Sequence, residues 1–144
     1  MKKTLYGICL ILLITCNIQP QELNAVKTKV LIKTSSSWDG SALPGYPKGK
    51  PEINILEITI PPKTKLPVHK HPEINAGVLL EGELTVKTES GKVLHLKAGD
   101  PIVETVNTWH YGENDGNKPA KIIVFYAGIT GKSLTIKRQS AVKK

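Results

Sequence analysis

The sequence predicts an all-β domain, an antiparallel sandwich or barrel, and three observations carry that expectation. Short segments alternate apolar and polar residues at period two, and turn-forming residues punctuate them, with 12 Gly and 10 Pro in 144 residues. Beyond residue 25, no apolar pattern repeats at helical spacing long enough to make a helix. The chain is 40% hydrophobic, enough to offset chain entropy in one core, and its length leaves room for a single domain.

The elements follow in order. Lys2 and Lys3 precede an apolar run over residues 5–14. That run is shorter than the roughly 20 residues a membrane-spanning helix needs, and it suits an export signal. The expectation is a signal peptide over residues 1–25 and an exported protein, periplasmic or secreted. Leu13-Ile14-Thr15-Cys16 offers an alternative, a lipoprotein box in which Cys16 carries the lipid and supplies the chain's one membrane contact. Cys9 and Cys16 both fall in the removed piece, so the exported domain has no disulfide to hold it.

Residues 26–52 read as an N-terminal strand and loop arm. Val26, Thr28, Val30 and Ile32 share one face of a strand while Lys27 and Lys29 take the other. A loop with Gly40, Pro44, Gly45, Pro47 and Gly49 follows, and Trp38 and Tyr46 are expected to pack it onto the domain. The barrel occupies residues 53–130, with strands expected over 53–60, 68–71, 77–80, 84–88, 92–96, 102–106 and 121–127. Glu89-Ser90-Gly91 turns a hairpin between two of them. Residues 131–144 read as a C-terminal strand and basic tail.

The formal charge of +8 does not indicate nucleic acid. The lysines are scattered singly, and Arg138 alone could fork onto a phosphate, so the charge is read as solubility.

His69-Lys70-His71 is an H-x-H pair. On a strand, side chains two apart point the same way, so both imidazoles can face the interior while Lys70 faces water. His95 lies on the opposite strand face from Leu94 and Leu96 and reads as an ordinary strand histidine. Glu104 sits in the apolar run Pro101-Ile102-Val103-Glu104-Thr105-Val106. If it faces inward, desolvation raises its pKa and fits it for proton transfer as a catalytic residue; if outward, it is a plain surface carboxylate.

The spacing of these residues resembles the cupin superfamily. Its first motif runs H-x-H, three or four residues, a Glu, six residues and a Gly, matched here by His69, His71, Asn75 and Gly82, with Asn in place of Glu. Its second motif is matched by Gly99, His110 and Asn114, while Thr105 and Asn107 replace its Pro and Gly. The resemblance covers roughly residues 53–127. It implies a double-stranded β-helix, the jelly-roll cupin barrel, with His69, His71 and His110 as ligands of a divalent transition metal, zinc, iron, nickel or manganese.

Asn75 is then the position to explain. It can ligate through its amide oxygen, hydrogen-bond a metal-bound water, or cap a turn beside Pro72. Loss of the family carboxylate leaves a more electropositive ion that favours anionic ligands. Glu73 restores the charge only if the loop is shifted in register. Gly77 shares strand parity with Asn75, so an inward face there would leave room for a ligand by the metal. Trp109 and Tyr111 flank His110 and are expected to face away from it.

The leading functional expectation is an exported metal-dependent enzyme of dioxygenase, decarboxylase, isomerase or lyase type, acting on a small oxygen-rich substrate. The alternative is a non-catalytic cupin that binds a small molecule or sugar around a structural metal. A homodimer is expected from the resemblance and from edge protection, with residues 26–32 and 132–144 supplying an exchanged edge.

Overall fold

Ten strands and no helix make up residues 25–139, the part of the chain that the computed structural model describes. They are β1 (Pro51–Ile60), β2 (Thr64–Lys65), β3 (His69–Lys70), β4 (Ile74–Glu81), β5 (Glu83–Thr88), β6 (Val93–Lys97), β7 (Pro101–Val103), β8 (His110–Asn114), β9 (Ala120–Ile129) and β10 (Ile136–Lys137). The expected signal peptide, the Cys16 box and the last residues of the basic tail lie outside the described residues.

Two antiparallel sheets face each other. One has the order β1-β9-β4-β7, and the other runs β10-β3-β8-β5-β6, with β2 also paired to β8. The long strand β9 is central to the first sheet because its alternation is strict: Ala120, Ile122, Val124 and Tyr126 are all buried. It takes β1 along one edge, from Pro51↔Ile129 to Ile60↔Ala120, and β4 along the other. Ile60, Leu79, Leu84, Val86, Ile102 and Ile122 fill the space between the sheets. Each such burial contributes about 1.5–3 kcal/mol, and together they are the reason the sheets stay closed. This is the antiparallel sandwich that the strand pattern predicts, in the jelly-roll form that the family resemblance implies.

Several details differ from the sequence expectation. Residues 26–32 form no strand: Val30 is 72% exposed, and the segment has no hydrogen-bonded partner strand. Its alternating pattern is real, but a strand also needs a free edge in register. Val30, Leu31 and Ile32 instead border a groove with Val78, Pro101 and Phe125 on the outside of the first sheet. Tyr46 does not pack its loop down, being 80% exposed, whereas Trp38 does. The Trp38 amide donates to the Val103 carbonyl at 2.9 Å and the Ser37 hydroxyl to the Glu104 carbonyl at 2.9 Å, which clips the loop to the end of β7.

Gly77 makes no room for a ligand. A Cβ there would lie 2.6 Å from the Ile123 carbonyl oxygen, so the glycine permits close approach of β9 to β4. Near the C-terminus, β10 pairs with β3, Ile136 opposite Lys70 and Lys137 opposite His69.

Candidate metal centre

The two sheets bring the candidate residues together at one end of the barrel. His69 lies on β3 directly opposite His110 on β8, and His71 follows β3 with a parallel bridge to Val106. Asn75 stands on β4 of the facing sheet, and Glu104 directly follows β7. All five line one cavity of about 110 Å³.

The three imidazoles converge. Their ring centroids are 4.6 to 5.1 Å apart, and one nitrogen from each lies within 4.8 Å of the others. What faces inward is fixed from behind. His69 Nδ1 donates to the Pro67 carbonyl at 2.8 Å, His71 Nδ1 to the Leu134 carbonyl at 2.8 Å, and His110 Nδ1 to the Thr108 carbonyl at 2.9 Å. Each ring is thereby held in the tautomer that leaves Nε2 as a bare lone pair, the form a metal requires. His110 Nε2 is buried with no hydrogen-bond partner.

The rings are also kept neutral. Burial depresses all three pKa values, that of His71 to about 4, and carbonyl hydrogen bonds only partly offset it. Loss of hydration disfavours the imidazolium, so no proton competes for the inward nitrogens near neutral pH.

Asn75 is buried, its Nδ2 donating to the Glu73 carbonyl at 3.3 Å while its Oδ1 has no partner. Glu104 faces the cavity. Desolvation raises its pKa to about 7, against the opposing pull of His69 and the Trp38 indole. Its Oε2 is buried without a hydrogen bond, 3.6 Å from His110 Nε2. Three orphaned polar atoms around one space, two acceptor oxygens and one imidazole nitrogen, fit a cation.

The remaining candidates lie elsewhere. Glu73 turns away: its Oε1 accepts the Ile129 amide at 3.1 Å and its carboxylate packs over Gly128, so it brings no charge to the cavity. His95 is exposed and shares a hydrogen bond with Thr85 Oγ1 at 3.0 Å. Trp109 and Tyr111 do not line the cavity; Trp109 lies against Lys70 and Arg138, and Tyr111 against Lys65. Asn114 is structural, its Nδ2 donating to the carbonyls of Ile60, Pro61 and Lys118.

Sequence reasoning missed several supporting groups. Thr105, fully buried, places Oγ1 3.2 Å from His110 Nδ1, so the residue that departs from the second motif's Pro supports the His110 ring. Asn107 adopts φ 58°, the left-handed conformation that Gly supplies at that motif position and that Asn tolerates, and its amide donates to the His71 carbonyl at 2.7 Å. Tyr126 and Thr135 also line the cavity. The changed motif positions were the available signal for Thr105 and Asn107; nothing in the local sequence marks Leu134 or Tyr126.

A family model described as a cupin domain matches residues 56–126. Among solved structures, a Klebsiella pneumoniae protein with a double-stranded β-helix domain is similar, with TM-score 0.53 and 20% identity over 65% of this chain and 89% of that one. An oxalate decarboxylase from Lactobacillus farciminis, solved as a formate complex, has TM-score 0.52 and 20% identity over 59% of this chain and 26% of that chain. A DMSP lyase from Ruegeria pomeroyi has TM-score 0.53 and 19% identity over 59% of this chain and 42% of that chain. The chain thus spans less than half of either enzyme, and likeness at this identity is likeness of fold. No curated protein matches the sequence.

Proposed function

Because the chain belongs to the cupin superfamily, we propose that His69, His71 and His110 hold one divalent transition ion, zinc, iron, nickel or manganese, at the centre of a small-molecule enzyme. One observation carries the reading: three Nδ1 atoms anchored on backbone carbonyls leave three Nε2 lone pairs aimed at a common point. When bound, the ion supplies Lewis acidity toward an oxygen-bearing ligand.

The chain supplies the rest. Ile58, Leu84, Val86 and Val124 form an apolar wall to the cavity, and such a low-dielectric lining strengthens electrostatic contacts within it. The Asn75 amide oxygen, lacking a partner, accepts a hydrogen bond from a substrate hydroxyl or a water. The cavity of about 110 Å³ is well below the roughly 300–1,000 Å³ of drug-sized sites, which favours a ligand of a few heavy atoms over a sugar ring or a flavonoid-like diol. A divalent ion on three neutral imidazoles keeps a net positive charge, with or without one carboxylate beside it, and so favours an anion; the proposed substrate class is a small carboxylate or enolate-forming carbonyl acid.

A panel of two- to four-carbon hydroxy and keto acids, with sugars as controls, tests this, read by turnover, oxygen uptake and thermal shift in parallel. The reading expects turnover of at least one small acid. Thermal shift without turnover supports the alternative, a non-catalytic binding cupin.

Two further parts of the proposal concern the chain's setting. A second copy of the chain is the proposed cover for the outer face of the first sheet, where Ile53 is 63%, Ile55 55% and Phe125 48% exposed. Export, proposed from Lys2, Lys3 and the apolar run that follows, is tested by mass spectrometry of the mature N-terminus.

A further inference from the structure

The missing family carboxylate at Asn75 has a neighbour one strand away. Strands β4 and β7 pair with Ala76 opposite Val103, so the next pair along is Asn75 and Glu104, and the Glu104 amide donates to the Asn75 carbonyl at 3.0 Å. Residues directly opposed on antiparallel strands project to the same face. Both side chains accordingly line the cavity, and Glu104 is the one carboxylate among its lining residues.

Glu104 Oε2 and His110 Nε2 stand 3.6 Å apart, each buried and each without a hydrogen-bond partner. The His110 proton is on Nδ1, given to the Thr108 carbonyl, so Nε2 faces the Glu104 carboxyl as a bare lone pair. A hydrogen bond does not explain the pair: 3.6 Å is too long for one. A shared cation does, because typical ion–nitrogen and ion–oxygen bonds of about 2.0–2.2 Å let both atoms reach one ion across that gap.

We propose that Glu104 is the anionic ligand of the centre, delivering from the end of β7 the carboxylate that the family places on β4. This rests on the three-histidine reading above and adds a fourth protein donor to it. It leaves the ion with one negative charge in its shell and assigns the buried Asn75 amide to contact with substrate or water.

The test uses the full chain, stripped of metal by chelation and titrated with Co(II) and with Zn(II), read by calorimetry and by the Co(II) ligand-field spectrum. Glu104→Gln, near-isosteric and neutral, is expected to weaken binding by about 10- to 100-fold or more and to alter the Co(II) spectrum. Asn75→Glu combined with Glu104→Gln is expected to recover most of the lost affinity by returning the carboxylate to β4. His110→Ala separates the two readings. If His110→Ala loses the ion while Glu104→Gln binds it within twofold of wild type with an unchanged spectrum, the Glu104 assignment is overturned and the histidine centre stands. If the wild type binds no ion, both fall. Should Glu104→Gln fail to fold, an ion-loaded wild-type crystal structure decides, with Oε2 on the ion expected and Oε2 beyond bonding distance overturning the proposal.

Discussion

The Leu134 carbonyl accepts the Nδ1 proton of His71 at 2.8 Å, across 63 residues of sequence. The chain's return after β9 is therefore part of the centre. Leu134 packs against the core, Thr135 Oγ1 lies 3.4 Å from the same ring nitrogen, and β10 pairs with β3, the strand that carries His69. A chain ending at Thr130 loses the acceptor that fixes the His71 tautomer. Its affinity for Zn(II), measured by calorimetry, is expected to fall by about 10- to 100-fold. Affinity equal to the full chain's would show that His71 needs no such anchor.

Gly77 is held by backbone crowding, since a Cβ would sit 2.6 Å from the Ile123 carbonyl oxygen. Gly77→Ala is expected to destabilise the fold by about 1–3 kcal/mol in urea melts, because β9 must move away from β4. Unchanged stability would reopen the reading of that position as ligand space.

Glu104 gives the metal-stripped protein a distinctive pH profile. Its folded pKa of about 7 lies above its ordinary value near 4.5. Below the ordinary value both states are protonated and Glu104 has no net effect. Between the two values the unfolded chain releases the proton while the folded chain keeps it, so stability falls as pH rises, and above the folded value the loss is complete. Histidines buried as neutral rings act in the opposite direction, losing stability as pH falls below about 6.5. The difference between Glu104→Gln and wild type carries the carboxyl's contribution, together with its effect on His69. The variant's relative stability is expected to rise between about pH 4.5 and 7 and then level off. A difference independent of pH in denaturant melts would contradict a desolvated Glu104.

The outer face of the first sheet supplies a test of assembly. Ile55 and Phe125 are opposed across β1 and β9, and both are about half exposed. Wild type is expected to scatter light as a dimer, and Ile55→Lys with Phe125→Lys as a monomer that still binds metal. A monomeric wild type removes the dimer.

Much of the fold was legible from strand-forming patterns. Residues 56–60 and 84–88 alternate at period two, residues 121–127 are rich in β-branched and aromatic side chains, and β1, β5 and β9 lie there. Strand β8 was not legible that way. His-Tyr-Gly-Glu-Asn has no β-branched residue and is a strand because β5 and β3 flank it. Residues 26–32 show the converse, good alternation with no partner strand. At the site, the H-x-H pair and His110 could be seen because ligand spacing is local to each motif. The place of Glu104 could not, because it depends on the β4–β7 register that sets it beside Asn75. The Leu134 carbonyl carries no side-chain signal at all.

Equilibrium dialysis of untagged, metal-stripped full chain against Zn(II), Mn(II), Fe(II) and Ni(II), followed by elemental analysis, tests the central claim most directly. One tightly held ion per chain is expected for at least one metal, and none for the variant with His69, His71 and His110 all changed to Ala. A wild type that retains no ion, or a triple variant that retains as much as wild type, would contradict it.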